Sequence, residues 1–304
     1  MTVPLTPDEF NLSILEKLIR TAYPDVCLAS ISVVDAVLSS EGDQRVSTAR
    51  RIAFDVTYAD GSRPDLPSRL MVKIARPELR EIPLYDNEVH IYTRIGDELP
   101  MRLPRSFGGV RDRESATFGL VLEDLRPMHP TFEDVLSPLT ADDTAALLEQ
   151  LAALHAAYWE STRFQGDLDW IQPHTSGPIH DLFTSDYGVA LLIDHEVATH
   201  QFKRELVQST GETTASLRTK VARVQAHQAA LPCTLLHGDA HVGNTYRLPD
   251  GQRGYFDLQL AARGFCMHDV SYTIVTSLSV EDRRAYEQDL IAGYRRRLVK
   301  LGVA

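Results

Sequence analysis

The sequence predicts an α+β protein whose strands come first and whose helices come last. Two observations carry this. Between residues 31 and 123, short apolar runs are separated by turn-forming clusters, the signature of strands. Beyond Pro127, apolar residues recur at helical spacing over segments long enough for several turns.

Residues 6–22 read as a helix, with Phe10, Ile14, Leu15, Leu18 and Ile19 forming its apolar stripe. Strands are expected near Ile31–Leu38, Arg51–Tyr58 and Arg69–Ala75, broken by Ser39–Asp43 and Ala59–Pro64. A helix at 84–97 follows, then strands near Arg105–Val110 and Phe118–Glu123. The character changes at Asp124–Pro127. Thr140 and Asp143 resemble a capping box and open a helix that runs to Trp159. Further helices are expected at 187–207, 212–229 and 279–300, the last capped by Ser279 and stopped at Gly302. The polar stretch 161–186 is too long for a simple connection and reads as a functional loop or insertion.

The chain has 304 residues, enough for two lobes and a sizeable core. Its three cysteines, Cys27, Cys233 and Cys266, are too few and too scattered for a disulfide framework or a thiolate zinc site. A net charge of −11 argues against nucleic-acid or anionic-membrane partners. No run approaches the roughly 20 apolar residues of a membrane helix, and no charged segment followed by an apolar one suggests a secretory signal. A cytoplasmic protein, monomeric or weakly dimeric, is expected.

The chemistry concentrates in His237-Gly-Asp239-Ala-His241-Val-Gly-Asn244. Asp239 and Asn244 stand five apart, the spacing at which protein kinases place a proton-accepting Asp and a magnesium-binding Asn. Tyr255-Phe256-Asp257 follows a turn at Pro249–Gly251, and that strand–turn–strand arrangement would return Asp257 to the side of Asn244. Phosphoryl transfer needs a hard cation held by oxygen ligands and a carboxylate near the attacking hydroxyl. Asn244 and Asp257 can supply the first, and Asp239 the second. A rival reading takes His237, Asp239 and His241 as alternating ligands of a transition metal in a metal-dependent hydrolase, with His268 and Asp269 available as further ligands.

The N-terminal section favours phosphoryl transfer. Lys73 is a charge in an otherwise apolar strand, on the face opposite Leu70, Val72 and Ile74. Glu88 points along the apolar face marked by Ile91, Tyr92 and Ile95, where a charge needs a partner. Lys73 is the natural one, and the pair would hold the lysine against nucleotide phosphates. Glu123 and Leu125, at the end of an apolar strand, would offer backbone groups to adenine. Ser39 and Ser40 stand where a loop would cover the phosphates, although that loop has one glycine.

The segment HGDAHVGN followed by YFDLQ resembles the aminoglycoside phosphotransferase/choline kinase superfamily. Gly264–Leu278 narrows the resemblance to the ecdysteroid-kinase-like branch and its bacterial relatives, and Leu151–Trp159 is similar to the helix before that family's catalytic section. The resemblance covers roughly residues 30–300. It implies a bilobal protein-kinase-like fold, with an antiparallel β-sheet N-lobe (residues 1–124) that binds nucleotide and a mostly helical C-lobe (125–304) that holds the catalytic and substrate groups. It also implies ATP, or GTP in its place, with Mg2+ and a small-molecule alcohol as acceptor. By position, Asp239 is then the base, Asn244 and Asp257 the metal ligands, Lys73 the phosphate contact and Glu88 its anchor. Asp269 becomes an acid that braces the catalytic loop, with His237 part of the bracing. His241 lies near the transferred phosphate or serves packing.

Leu258 and Gln259 follow Asp257 where protein kinases have a glycine, which leaves a catalytically silent nucleotide-binding protein as an alternative. The acceptor is expected near 161–186 and the last helices, with Trp170, Tyr158 and Trp159 as candidate apolar surface, although core packing explains Tyr158 and Trp159 at least as well. A hydrophobic or macrolide-like alcohol suits the sequence at least as well as an aminoglycoside.

Overall fold

A computed structural model describes residues 1–37, 48–59, 66–185 and 188–303. Ser39 and Ser40 lie outside them.

The N-lobe begins with α1 (Leu12–Arg20), whose first turn is capped by the Asn11 side chain accepting from the Ile14 N–H. Strands β1 (Leu28–Val37), β2 (Ala49–Tyr58) and β3 (Arg69–Ala75) come next. Then come α2 (Leu84–His90), β4 (Ser106–Asp112) and β5 (Thr117–Glu123). The five strands form one antiparallel sheet in the order β1-β2-β3-β5-β4. Alternation along β3 sends Leu70, Val72 and Ile74 to one face, where they pack with Leu15, Leu18 and Ile19 of α1. Burying a side chain of that size contributes about 1.5–3 kcal/mol. Lys73 goes to the other face, opposite Leu120 of β5 and Arg51 of β2.

The helix expected at 84–97 is shorter than its periodicity suggests. It passes at Ile91–Ile95 into a wider π-turn and at Gly96–Glu98 into a 3₁₀ turn. The widened turn still buries Ile91, Tyr92 and Ile95, so the apolar stripe survives the change of pitch.

The C-lobe holds the short β6 (Thr131–Phe132), then α3 (Ala141–Ala157), whose first turn is capped by Thr140 accepting from the Asp143 N–H. Next are α4 (Pro178–Thr184), α5 (Val189–Thr199), α6 (Gln201–Ser209) and α7 (Thr214–Gln228). The helix expected at 187–207 is two, because His200 is extended (φ −103°, ψ 118°) between α5 and α6. Short strands β7 (Thr234–Leu236), β8 (Thr245–Arg247), β9 (Arg253–Tyr255) and β10 (Ala262–Gly264) form two small antiparallel ribbons, β10-β7 and β6-β8-β9. The chain closes with α8 (Met267–Ser277) and α9 (Val280–Lys300). One apolar cluster runs from Phe118 and Leu120 of the sheet through Tyr85 and Ile91 to Leu151 of α3 and Ile274 of α8. The architecture is the bilobal α+β arrangement expected: an antiparallel sheet first, then mostly helix. No helix among the described residues is long and apolar enough to cross a membrane.

Candidate active site

Strand β3 and helix α2 bring Lys73 and Glu88 together. Lys73 Nζ lies 2.5 Å from Glu88 Oε1 and 3.2 Å from Asp257 Oδ1, so one buried ammonium joins an N-lobe helix to the C-lobe. Burial opposes its charge, but Asp257 and Glu88 more than offset that and raise its pKa. Glu88 is fully enclosed. Burial pushes its carboxyl up to about 7, with the lysine pulling the other way, and its Oε2 has no hydrogen-bond partner among the described residues. The neighbouring Asn87 points the same way and donates from Nδ2 to the carbonyls of Gln259 (2.9 Å) and Ala261 (2.8 Å). Adjacent residues of α2 thus grip Lys73 and the segment that follows Asp257. Nothing in the sequence marks Asn87 for this beyond its place beside Glu88 on a buried face.

The hairpin β8–β9 returns the chain as its turn residues suggest. Thr245 pairs with Tyr255, and the Phe256 N–H donates to the Asn244 carbonyl (3.0 Å). Asp257 follows at once, in the left-handed region (φ 68°), a conformation that Asp tolerates better than most residues. Asn244 donates from Nδ2 to both the main-chain carbonyl and Oδ2 of Asp239, each at 3.0 Å. Its Oδ1 and the Asp257 carboxylate are the hard-oxygen donors left beside Asp239, the type of ligand magnesium takes. Burial raises the Asp239 pKa above the usual carboxylate range, while His241 and His237 pull it down.

The loop that carries Asp239 hangs from Asp269 in the first turn of α8. The Asp269 carboxylate accepts from the His237 N–H (2.7 Å) and the Gly238 N–H (3.0 Å), and His155 of α3 meets it at 3.2 Å. Burial disfavours this charge. The His155 hydrogen bond and the surrounding histidines outweigh it and hold the carboxyl down to about 2. Gly238 needs to be glycine on two counts: φ is 82°, and a Cβ would fall 1.9 Å from the Leu260 carbonyl oxygen.

His237 donates from Nε2 to the Phe256 carbonyl (3.1 Å) and accepts at Nδ1 from the Asp239 N–H (3.2 Å). Both ring nitrogens are therefore committed inside the protein, and His237 has none to give a metal. His241 Nδ1 caps the turn at Val242–Asn244 by accepting from the Gly243 N–H, and its Nε2 is 3.8 Å from Asp239. Among the described residues, no three His, Cys, Asp or Glu side chains converge on a metal-sized point.

At the lobe junction the Glu123 N–H donates to the Arg105 carbonyl (2.8 Å), and the Leu125 carbonyl accepts from the Met128 N–H (2.9 Å). Of the backbone groups there, the Glu123 N–H and the Leu125 carbonyl are thus engaged within the protein.

On the C-lobe side Asp239 opens on a cavity of about 530 Å³. Its walls come from the 161–186 stretch, α4, α7 and α8, with Ile179, Phe183, Val221 and Val224 among the apolar contributors. Asp239 is the only carboxylate lining it among the described residues, and Lys220, mostly exposed and paired with Glu212, is the only ammonium or guanidinium group. The aromatic residues named as candidate acceptor surface are elsewhere. Trp170 stacks edge-on against His90 beneath Arg94, Tyr158 is buried with its hydroxyl on Glu98, and Trp159 packs on the core. The last helix, α9, packs on α3 and takes no part in the lining.

A family model, the ecdysteroid kinase-like family, matches residues 41–302, most of the chain. The chain belongs to the ecdysteroid kinase-like family. It is accordingly a kinase-type phosphotransferase acting on small molecules. No curated protein is similar enough in sequence to match. Among solved structures, the GDP and kanamycin complex of APH(2")-IIia is 14% identical (94% of this chain, 86% of that one, TM-score 0.49). A macrolide 2'-phosphotransferase type I is 15% identical (100% and 85%, TM-score 0.46). The choline kinase LicA from Streptococcus pneumoniae is 11% identical (92% and 80%, TM-score 0.42). These likenesses are loose, and membership of the ecdysteroid kinase-like family rests on the sequence match.

Proposed function

We propose that this ecdysteroid kinase-like chain transfers the γ-phosphoryl group of ATP, or of GTP in its place, to a hydroxyl of an uncharged small molecule. The observation that carries this is the ionic chain Glu88–Lys73–Asp257, which crosses between the lobes and ends beside Asn244 and Asp239, where the cavity opens. In this reading the nucleotide lies between the lobes, with its adenine edge against the Glu123 carbonyl and the Leu125 N–H. Lys73, locked by Glu88, meets the phosphates. Asn244 and Asp257 hold magnesium, which when bound neutralises charge on the phosphate oxygens.

The acceptor hydroxyl approaches Asp239 from the cavity. As its oxygen bonds to the γ-phosphorus, the bond from that phosphorus to the bridging oxygen of ADP breaks. The hydroxyl proton passes to the Asp239 carboxylate, leaving the phosphorylated alcohol and ADP. The Asn244 amide on Oδ2 keeps the carboxylate aimed. The cavity supports an uncharged acceptor with an apolar body, because a polycationic sugar would need several carboxylates and the described residues of the lining supply only Asp239.

The test is magnesium-dependent ADP release from ATP in the presence of neutral hydroxylated compounds and of kanamycin, with phosphorylated product identified by mass. Product from neutral alcohols and none from kanamycin is expected. Nucleotide binding with no transfer to any acceptor would indicate a silent nucleotide-binding protein. Metal-dependent hydrolysis without nucleotide would restore the hydrolase reading.

A further inference from the structure

The acceptor cavity is lined by apolar and polar side chains, and two of the polar ones, beside Gly238 and Asp239, are histidines far apart in sequence. The rings of His174 and His268 lie 3.9 Å apart, centroid to centroid, tilted by 44°. Both line the cavity beside Gly238 and Asp239.

Each ring is held by ordered backbone. Pro173 bridges to Arg263 of β10, and the His174 N–H donates to the Arg263 carbonyl (2.8 Å), so this part of the 161–186 stretch is zipped to a strand. His268 stands in the first turn of α8 and meets the Gly238 carbonyl through Nε2 at 3.1 Å. Facing a carbonyl, Nε2 is the donor of that bond.

The fully buried histidines of the lobe differ. His155 and His237 satisfy both ring nitrogens within the protein. The ring nitrogens of His174 have no hydrogen-bond partner among the described residues, and they border a cavity. Burial, and then the neighbouring His268, bring the His174 pKa down to about 4, so its ring is uncharged at neutral pH and offers one donor and one acceptor. That is the complement of a hydroxyl group. A ligand without a hydroxyl at this point would leave those nitrogens, which share the wall with Ile179, Phe183, Val221 and Val224, desolvated and unpaired.

We propose that His174 and His268 form the hydroxyl-recognition spot of the acceptor site, binding a second hydroxyl of the acceptor so that the first faces Asp239. The acceptor is then a neutral, apolar-bodied molecule with at least two hydroxyls. This rests on the reading of the cavity as the acceptor site.

The experiment compares phosphoryl transfer from magnesium ATP to a rigid neutral diol, 5α-androstane-3β,17β-diol, and to 5α-androstan-3β-ol, which lacks the second hydroxyl. Wild-type protein, His174→Phe and His174→Gln are measured, with magnesium–ATP affinity as the check that each variant is folded. Wild type is expected to favour the diol by about tenfold or more in kcat/KM, the scale of a lost buried hydrogen bond. His174→Phe should lose that preference, its kcat/KM for the diol falling about tenfold through a raised KM and a lowered kcat, because the second hydroxyl no longer holds the first at Asp239. His174→Gln should restore part of it. An undiminished diol preference in His174→Phe would overturn the role of the pair while leaving the kinase reading intact. Transfer to neither probe by nucleotide-binding wild type would overturn the cavity reading and the proposal with it.

Discussion

The floor of the cavity and its cover are held in contrasting ways. The floor is set by Gly238 and Asp239, and behind it His237, Asn244 and Asp269 are buried, each with two or more hydrogen bonds. Across the cavity, α7 buries no residue, and Phe183, Val221 and Val224 are all more than a third exposed. A floor that handles charge needs fixed positions, since a displaced carboxylate or lysine loses the electrostatic advantage of a dry site. A cover that only surrounds an apolar body can be held by few contacts, and such regions open locally at small cost in free energy. Position is thus most tightly specified where phosphate would be handled and least where an acceptor would be chosen.

The largest effect that sharpens this contrast is expected at Asp269→Ala. It removes the acceptor for two backbone N–H groups and strands His155, and should cost about 3–5 kcal/mol of stability by denaturant unfolding. Lys73→Met comes next. It should lower kcat/KM by about 10²–10³, the usual loss when a preorganised charge is withdrawn, with thermal unfolding run alongside because Glu88 loses its partner.

A third effect is set by pH. The Asp269 carboxyl titrates near 2 in the folded protein, below its unfolded value, so the fold binds its proton less readily than the unfolded chain does. Its contribution, on the order of 2 kcal/mol, is complete above about pH 4 and is lost as the pH falls towards 2. Unfolding midpoints measured across that window should fall in wild type, and the part due to this group should vanish in Asp269→Asn. The smallest effect belongs to the cover. Val224→Ser should change stability by less than about 0.5 kcal/mol while raising the acceptor KM. A loss there as large as that of Asp269→Ala would erase the contrast.

Much of the floor was readable in the sequence because its residues are local to one another or tied to a short element. Asp239 and Asn244 share one loop, the hairpin Thr245–Tyr255 returns Asp257, and strand alternation sets the face of Lys73. The strands of the N-lobe were readable for the same reason, since turns with Gly, Pro and Asp bound them. What escaped depends on contacts between distant segments. Asn87 is polar on a helix that the sequence marks only by its apolar stripe, and its partners are carbonyls beyond Asp257. His174 and His268 meet only after 161–186 zips onto β10. The breaks at His200 and at Ile91–Ile95 carry neither glycine nor proline, so no local signal announces them. Tyr158 and Trp159 take the core role that was open to them, and Trp170 lies away from the cavity, since a large aromatic satisfies a core as readily as a binding site.

The central claim is that Asp239 accepts the proton of the attacking hydroxyl, and one comparison tests it most directly. Asp239→Asn keeps the size of the side chain and removes its basicity. Magnesium–ATP affinity and single-turnover transfer to a neutral alcohol, measured on the same preparation, should show nucleotide bound as in wild type and transfer slowed by about 10²–10⁴. Transfer by Asp239→Asn at the wild-type rate would contradict the account.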